Sequence, residues 1–176
     1  KAAGEAGIRA AYPDATILRP SIVFGPDDGF FNRFARMAQV SPFLPLIGGG
    51  KTRFQPVFVG DVAEAVVASL DRDDAPGRLY ELGGPRIYSF RELLEYVLKV
   101  THRRRLLLDL PFGIANLQAS VLQYLPSPPL TPGQVELLKK DNVVAEGART
   151  LADLDIHPAP LEVIVPQYLE AYSRQA

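Results

Sequence analysis

The sequence contains no cysteine, which excludes a disulfide framework, thiolate catalysis, and zinc or iron–sulfur centres held by thiolates. Its only histidines, His102 and His157, lie far apart without paired carboxylates at ligand spacing. A histidine-based metal site is therefore not expected. No charge of one sign dominates: the formal net charge is −1, so no global basic field recruits nucleic acid or an acidic membrane. No apolar run approaches the ~20 residues of a membrane span. No signal peptide is recognisable, although a chain starting on Lys1 does not report on its native N-terminus. Neither G-x-G-x-x-G nor a P-loop follows any predicted strand, so the usual phosphate-binding turn is missing.

What is present is an ordinary globular composition, 47% hydrophobic and 22% charged over 176 residues. That suits one domain, or one lobe with a small appendage. The 16 prolines fall at element boundaries and act as punctuation. Ala2 to Ala11 reads as a helix with Glu5 and Arg9 at i,i+4. Thr16 to Arg19 reads as a strand running into Pro20, followed by the short apolar run Ile22–Val23–Phe24 and a stop at Gly25–Pro26. A buried parallel strand has this continuous apolar character, and ligands of open α/β sheets sit beyond such strands' carboxyl ends.

Phe30 to Ala38 has amphipathic helical spacing, and Ser41 to Gly50 reads as a loop. Its Gly48–Gly49–Gly50 run lacks the Lys-Ser/Thr ending of a P-loop, so a plain turn is expected. Arg53 to Val59 reads as one strand, with Asp61 predicted to cap a helix over Val62–Leu70 and Glu64 at N3. Gly77 to Leu82 is a further strand. Ser89 is predicted to cap a helix from Phe90 to Val100 with Glu92 at N3. Beyond it come a strand with a basic start (Arg103 to Leu110) and three helices, over Pro111–Leu125, from Thr131–Pro132 to Lys140, and over Leu161–Tyr172. Strand–helix alternation followed by mostly helical sequence predicts an α/β lobe with a helical appendage. The basic run His102–Arg105 reads first as a solvated face, with an acidic partner or lipid headgroups as the alternative.

Four blocks fall in a particular order: Lys1–Glu5 opening a helix; Leu18–Arg19–Pro20 through Gly25–Pro26; Phe54 through Ala63; and Tyr80–Pro85 leading to Ser89–Leu93. This order resembles the C-terminal half of the extended and atypical short-chain dehydrogenase/reductases, the NAD-dependent epimerase/dehydratase branch. Leu130–Leu138 together with Asp141–Val144 resembles, within it, the nucleotide-binding accessory subunits of respiratory complex I and their bacterial relatives. The resemblance implies an α/β fold, the C-terminal half of a Rossmann-like doubly wound parallel sheet plus a small, mostly helical substrate or lid region. Residues 1–84 would complete the NAD(P)-binding domain, residues 85–176 would form the substrate side, and the N-terminal Rossmann half would lie outside the chain.

By the same resemblance, Lys1 would be the lysine of a Tyr-x-x-x-Lys pair, catalytic and bound to the nicotinamide ribose, with its tyrosine upstream. Pro20, Ser21, Ile22 and Val23 would line the nicotinamide of NAD or NADP. Phe30 and Phe31 either line a substrate cleft or seat their helix, the latter being favoured. Arg53 resembles the arginine that meets a sugar-nucleotide phosphate in epimerising relatives, but one residue out of register, so a solvated arginine is expected. The implied partners are a dinucleotide and either a small-molecule substrate or respiratory complex I subunits. Nucleic acid is not among them, and the implied location is cytoplasmic, or peripheral at the inner membrane through a respiratory complex. Three functions compete: a catalytic NAD(P)-dependent oxidoreductase or epimerase, an accessory subunit holding its dinucleotide as a structural ligand, and an NAD(P)-sensing regulatory module.

Overall fold

The computed structural model describes residues 2–124 and 130–173. Helix α1, Ala2–Ala11, packs ahead of strand β1, Ile17–Pro20, whose chain continues through Ser21 into β2, Val23–Phe24. The Glu5 carboxylate is held by Arg19 of β1, with Nε at 2.9 and 3.0 Å from its two oxygens, and Arg9 acts on it only as a weaker electrostatic influence. The Arg19 hydrogen bond, more than any other influence, holds the Glu5 carboxyl below its ordinary range. Helix α2, Phe31–Val40, buries Phe31, Ala35 and Ala38. Asp28 holds its first turn, its Oδ1 accepting from the backbone N–H of Phe30 (2.8 Å) and Phe31 (2.5 Å).

The segment expected to be a loop, Ser41 to Gly50, contains a strand. Residues Phe43–Ile47 form β3, paired in parallel with the strand Leu106–Leu110. Pro42 and Pro45 disguise it, because proline normally breaks a strand interior. Within this two-stranded pair, β3 has an outer edge where no ladder donor is required, so Pro45 is accommodated opposite Leu108. The following Gly48, Gly49 and Gly50 all have φ between 62 and 69°, a backbone region that glycine alone enters without strain. Side chains at Gly48 and Gly50 would run into Phe112 and Leu46 respectively. The triplet is a tight, enclosed turn.

Arg53 to Val59 is two short strands. β4, Arg53–Phe54, pairs antiparallel with β7, Tyr88–Ser89, whereas β5, Val57–Phe58, pairs in parallel with β2. The break falls at Gln55–Pro56. Helix α3 spans Val59–Asp71, so it starts earlier than predicted and places Asp61 inside its first turn. Asp61 does not cap it. Only 7% exposed, Asp61 accepts the backbone N–H of Ala159 at 2.8 Å and so ties a distant loop to this helix.

Burial outweighs that hydrogen bond and, with Glu64 nearby, raises the Asp61 carboxyl above its ordinary pKa. A raised folded-state value means that the group's stability contribution is full below its unfolded pKa and lost as pH rises through the folded one. Asp61→Asn keeps an acceptor and removes the titration. Its melting temperature is expected to exceed that of the parent at pH 7, with the gap closing toward pH 4 in a thermal-unfolding series. A gap constant with pH would contradict this account.

Strand β6, Leu79–Leu82, pairs in parallel with β1 in the register Ile17↔Leu79 to Pro20↔Leu82. Arg149 adds a further parallel rung on Tyr80. Helix α4, Phe90–Val100, begins as expected, with Ser89 and Glu92 forming a reciprocal capping box. Such a cap contributes about 1 kcal/mol. β8 is the strand Leu106–Leu110, and α5 spans Phe112–Leu122; the predicted end of α5 at Leu125 lies outside the described residues. α6 is shorter than predicted, Pro132–Leu137, opened by a Thr131–Gln134 capping box. The last helix, α7, runs from Leu161 to Leu169 and passes into a single 3-10 turn at Glu170–Tyr172.

The basic run is partly consumed by helix ends. Arg103 Nε donates to the Tyr172 carbonyl at 3.0 Å and Arg105 Nε to the Ala38 carbonyl at 2.8 Å, where carbonyls otherwise lack partners. Two buried cores result. One gathers α2, β3, α4, α5 and α7 around Phe31, Leu44, Phe90 and Leu94. The other joins β5, β6 and α3 to Leu151, Leu154 and Ile156 from the C-terminal part.

Candidate functional site

At Ser21 the chain changes partners. The Ser21 N–H donates to the Leu82 carbonyl at 2.9 Å, closing the β1–β6 ladder, while Ile22 offers its carbonyl to Val57 N–H at 2.9 Å, opening the β2–β5 pair. This kink beyond the carboxyl end of β1 forms one wall of a cleft of about 1130 Å³, lined by Pro20, Ser21 and Ile22. Ligands of open α/β sheets occupy that place. The facing walls come from α2, from Phe54 and Phe90, and from the chain after α6, Leu138 and Lys140 to Val144.

That last segment is a strap, held across the cleft by Gln55 and Ser21. Ser21 Oγ donates to the Asn142 carbonyl at 2.6 Å and accepts the Gln55 N–H at 3.2 Å. Asn142 N–H donates to the Arg53 carbonyl at 2.8 Å. The Gln55 side chain then reaches both ways, Oε1 accepting Val144 N–H at 3.1 Å and Nε2 donating to the Gly84 carbonyl at 2.8 Å. Glu81 anchors the next residue, accepting Ala145 N–H at 2.8 Å. None of this network was assigned from sequence. Its one sequence signal was the Asp141–Val144 block, noticed as a family likeness without a structural role.

The sequence-derived candidates separate accordingly. Pro20, Ser21 and Ile22 meet at the cleft, whereas Val23 turns away and packs on the second core. Ser21 supports the strap, so its hydroxyl proton is already used. Phe30 lines the cleft and is half-buried; Phe31 is fully buried, seating α2 on the core. Arg53 is exposed and pairs with Asp141, its Nε 2.8 Å from Oδ2. The backbone N–H and the guanidinium of Arg53 together hold the Asp141 carboxyl below its usual range. Lys1 lies outside the described residues.

The cleft's charged groups are largely matched. Glu5 and Glu81 share Arg19, and Glu136 receives Lys139 at 2.5 Å. Arg33 Nη1 donates to Gln134 Oε1 at 3.2 Å. The walls are otherwise hydrocarbon and aromatic, including four rings in which Phe90 meets Phe30, Phe34 and Phe54 edge-on and Phe30 meets Phe34 edge-on. Among the described residues there is no group of His, Asp and Glu able to hold a metal ion, and no helix long and apolar enough to cross a membrane.

Comparison with known proteins agrees with this geometry. The profile of the NAD dependent epimerase/dehydratase family matches residues 2–83. The chain is 37% identical, over 99% of its own length and 46% of the relative's, to NADH dehydrogenase (ubiquinone) 1 alpha subcomplex subunit 9, mitochondrial, of Arabidopsis thaliana. The protein of the same name from Mus musculus is 34% identical, over 93% of this chain and 44% of the relative. The chain thus spans about half the length of these curated relatives. Among solved structures, the dTDP-glucose 4,6-dehydratase DesIV of Streptomyces venezuelae, with NAD and TYD bound, superposes with a TM-score of 0.62 at 16% identity, over 94% of this chain and 46% of that one. Residues 2–83 thus match the NAD dependent epimerase/dehydratase family, the chain as a whole is similar to the mitochondrial subunits named above, and its fold is shared with DesIV.

Proposed function

We propose that this chain supplies the nicotinamide-side wall and the substrate side of an NAD(P)-binding protein that serves as an accessory subunit of a respiratory NADH:ubiquinone oxidoreductase. The observation that carries the reading is the apolar wall Pro20–Ile22 at the carboxyl end of β1, in a chain similar along almost its whole length to subunits with that name. A flat apolar wall suits one face of a nicotinamide ring. The carboxamide must find its partners elsewhere than Ser21 Oγ, whose proton goes to Asn142. In this reading residues 1–84 belong with the dinucleotide domain and residues 85–176 with the substrate side. The strap and the Leu151–Ile156 segment cross back onto the first part.

A second reading is a catalytic oxidoreductase or epimerase in which Lys1 and an upstream tyrosine perform proton transfer. The Arg53–Asp141 pair counts against a sugar-nucleotide substrate, because the guanidinium is engaged with a carboxylate in place of a phosphate.

Calorimetric titration of the full-length protein with NADPH and NADH tests the proposal. Saturable binding that weakens at least tenfold in Ile22→Asp, with thermal unfolding as the folding control, is expected. Equal affinity in the variant rejects the wall assignment. Absence of turnover, together with copurification with respiratory subunits, distinguishes the accessory role from the catalytic one.

A further inference from the structure

Much of the cleft's lining beyond the β1 wall is hydrocarbon: Phe34 and Met37 of α2, Ile47 at the end of β3, Leu110 at the end of β8, Leu122 of α5 and Leu138 before the strap. On α2 the neighbouring Phe31, Ala35 and Ala38 are fully buried, yet Phe34 and Met37, which pack against the same core, stay half-covered. Leu110, Leu122 and Leu138 are half-covered as well. These side chains border the open space of the cleft. Water in a concave apolar space is readily displaced by an apolar occupant.

Size and charge narrow the occupant. The whole cleft, about 1130 Å³, exceeds the roughly 300–1,000 Å³ of an ordinary small-molecule site. A nicotinamide ring at Ile22 therefore leaves room along this hydrocarbon lining. Each carboxylate on the walls has a partner: Glu5 and Glu81 share Arg19, Glu136 receives Lys139, and Asp141 receives Arg53. Lys140, exposed on the strap at the cleft's border, makes no ion pair among the described residues and acts on Glu136 only at longer range, where Lys139 already pairs with that carboxylate. An apolar lining with a cation outside any ion pair at the rim complements a chain-like amphiphile with an anionic head.

We propose that this hydrocarbon-lined chamber binds the chain of a long-chain fatty acid, its carboxylate at Lys140. The proposal rests on the cleft being a ligand site, but not on the dinucleotide. It assigns to the substrate side a specificity for chain length, set by the depth to Leu122.

The test displaces 1-anilinonaphthalene-8-sulfonate from the full-length protein with saturated fatty acids from hexanoate to palmitate, each below its micelle concentration. Affinity is expected to tighten about fourfold per added methylene, the factor that corresponds to burying one CH₂, until the chamber is filled. Leu122→Trp shortens the chamber: palmitate should weaken at least tenfold and hexanoate stay unchanged. Lys140→Ala, at an exposed position, should weaken laurate but not dodecanol. An affinity independent of chain length overturns the proposal, as does a folded Leu122→Trp that binds palmitate like the parent. If that variant fails to fold, the chain-length series and Lys140→Ala decide. NADPH titration of the same samples separates the two readings: loss of chain binding with NADPH binding intact removes this inference alone, and the converse removes the dinucleotide reading alone.

Discussion

Phe90→Ala is expected to lower the stability of the fold by about 4 kcal/mol in chemical denaturation, within the range for aromatic truncation in a packed core. Phe90 is 1% exposed. Its ring meets Phe34, Phe30 and Phe54 edge-on, with centroids 5.6, 6.0 and 6.4 Å away. Three elements therefore share one side chain: α2 carries Phe34, the turn before it Phe30, and β4 Phe54. The backbone N–H of Phe90, which donates to the Thr52 carbonyl at 2.8 Å, is untouched by the substitution, so the loss isolates the ring. Phe90→Leu retains most of the volume and should cost about 1 kcal/mol. Equal losses for the two variants would show that the edge-on ring contacts, and not the filled volume, supply the stability. Because Phe30, Phe34, Phe54 and Phe90 also wall the cleft, ligand binding should weaken in parallel with stability.

Gly84→Ala is the second large effect, about 3 kcal/mol, of the order of an unrelieved overpacking. A β-carbon at Gly84 would collide with the backbone carbonyl of Pro56. The two backbones cannot separate without breaking the pairing of Gly84 N–H to the Gln55 carbonyl at 3.2 Å and of Gln55 Nε2 to the Gly84 carbonyl at 2.8 Å. Gly83 provides the contrast. A β-carbon there would meet side-chain atoms, of Gln55 at 2.6 Å and Val144 at 2.7 Å, which can swing aside. Gly83→Ala is therefore expected to lose only about 1 kcal/mol while loosening the strap. Urea denaturation of both variants decides; a Gly83→Ala as damaging as Gly84→Ala would mean that the strap is as rigid as the backbone beneath it.

These glycines show which parts of the fold were legible in the sequence. Where the cause is local, the reading reaches the residue: α4 begins at Phe90 because Ser89 and Glu92 satisfy each other's backbone donors. The edge of β1 at Pro20 was legible for a similar reason, since the strand-like run Thr16–Arg19 ended in proline. Where the cause is a distant partner, local chemistry misleads. β3 exists because Leu106–Leu110 pairs with it, and Pro45 hides that. Arg53 to Val59 has the residues of one strand, but its halves serve different partners, Ser89 and Val23 among them. Asp61 carries the chemistry of a cap, yet its acceptor is used by Ala159. The candidate site divides the same way. Its sheet-side wall follows from a local pattern. The strap, whose Asn142 sits opposite Phe54, depends on contacts that no local window contains.

The Ser21–Asn142 hydrogen bond joins residues 121 apart, and its consequence is kinetic. Closing so long a loop costs entropy before any contact can repay it, and distant pairings of this kind slow folding. β1–β6, with about half that separation (Ile17↔Leu79), and the Ser89-capped helix can form while the later chain is still unstructured. The strap is expected to close after them. In pulse-labelling hydrogen exchange, the amides of Asn142 and Val144 should gain protection after those of Leu82 and Leu93, so that the cleft is completed only once the sheet beneath it has formed.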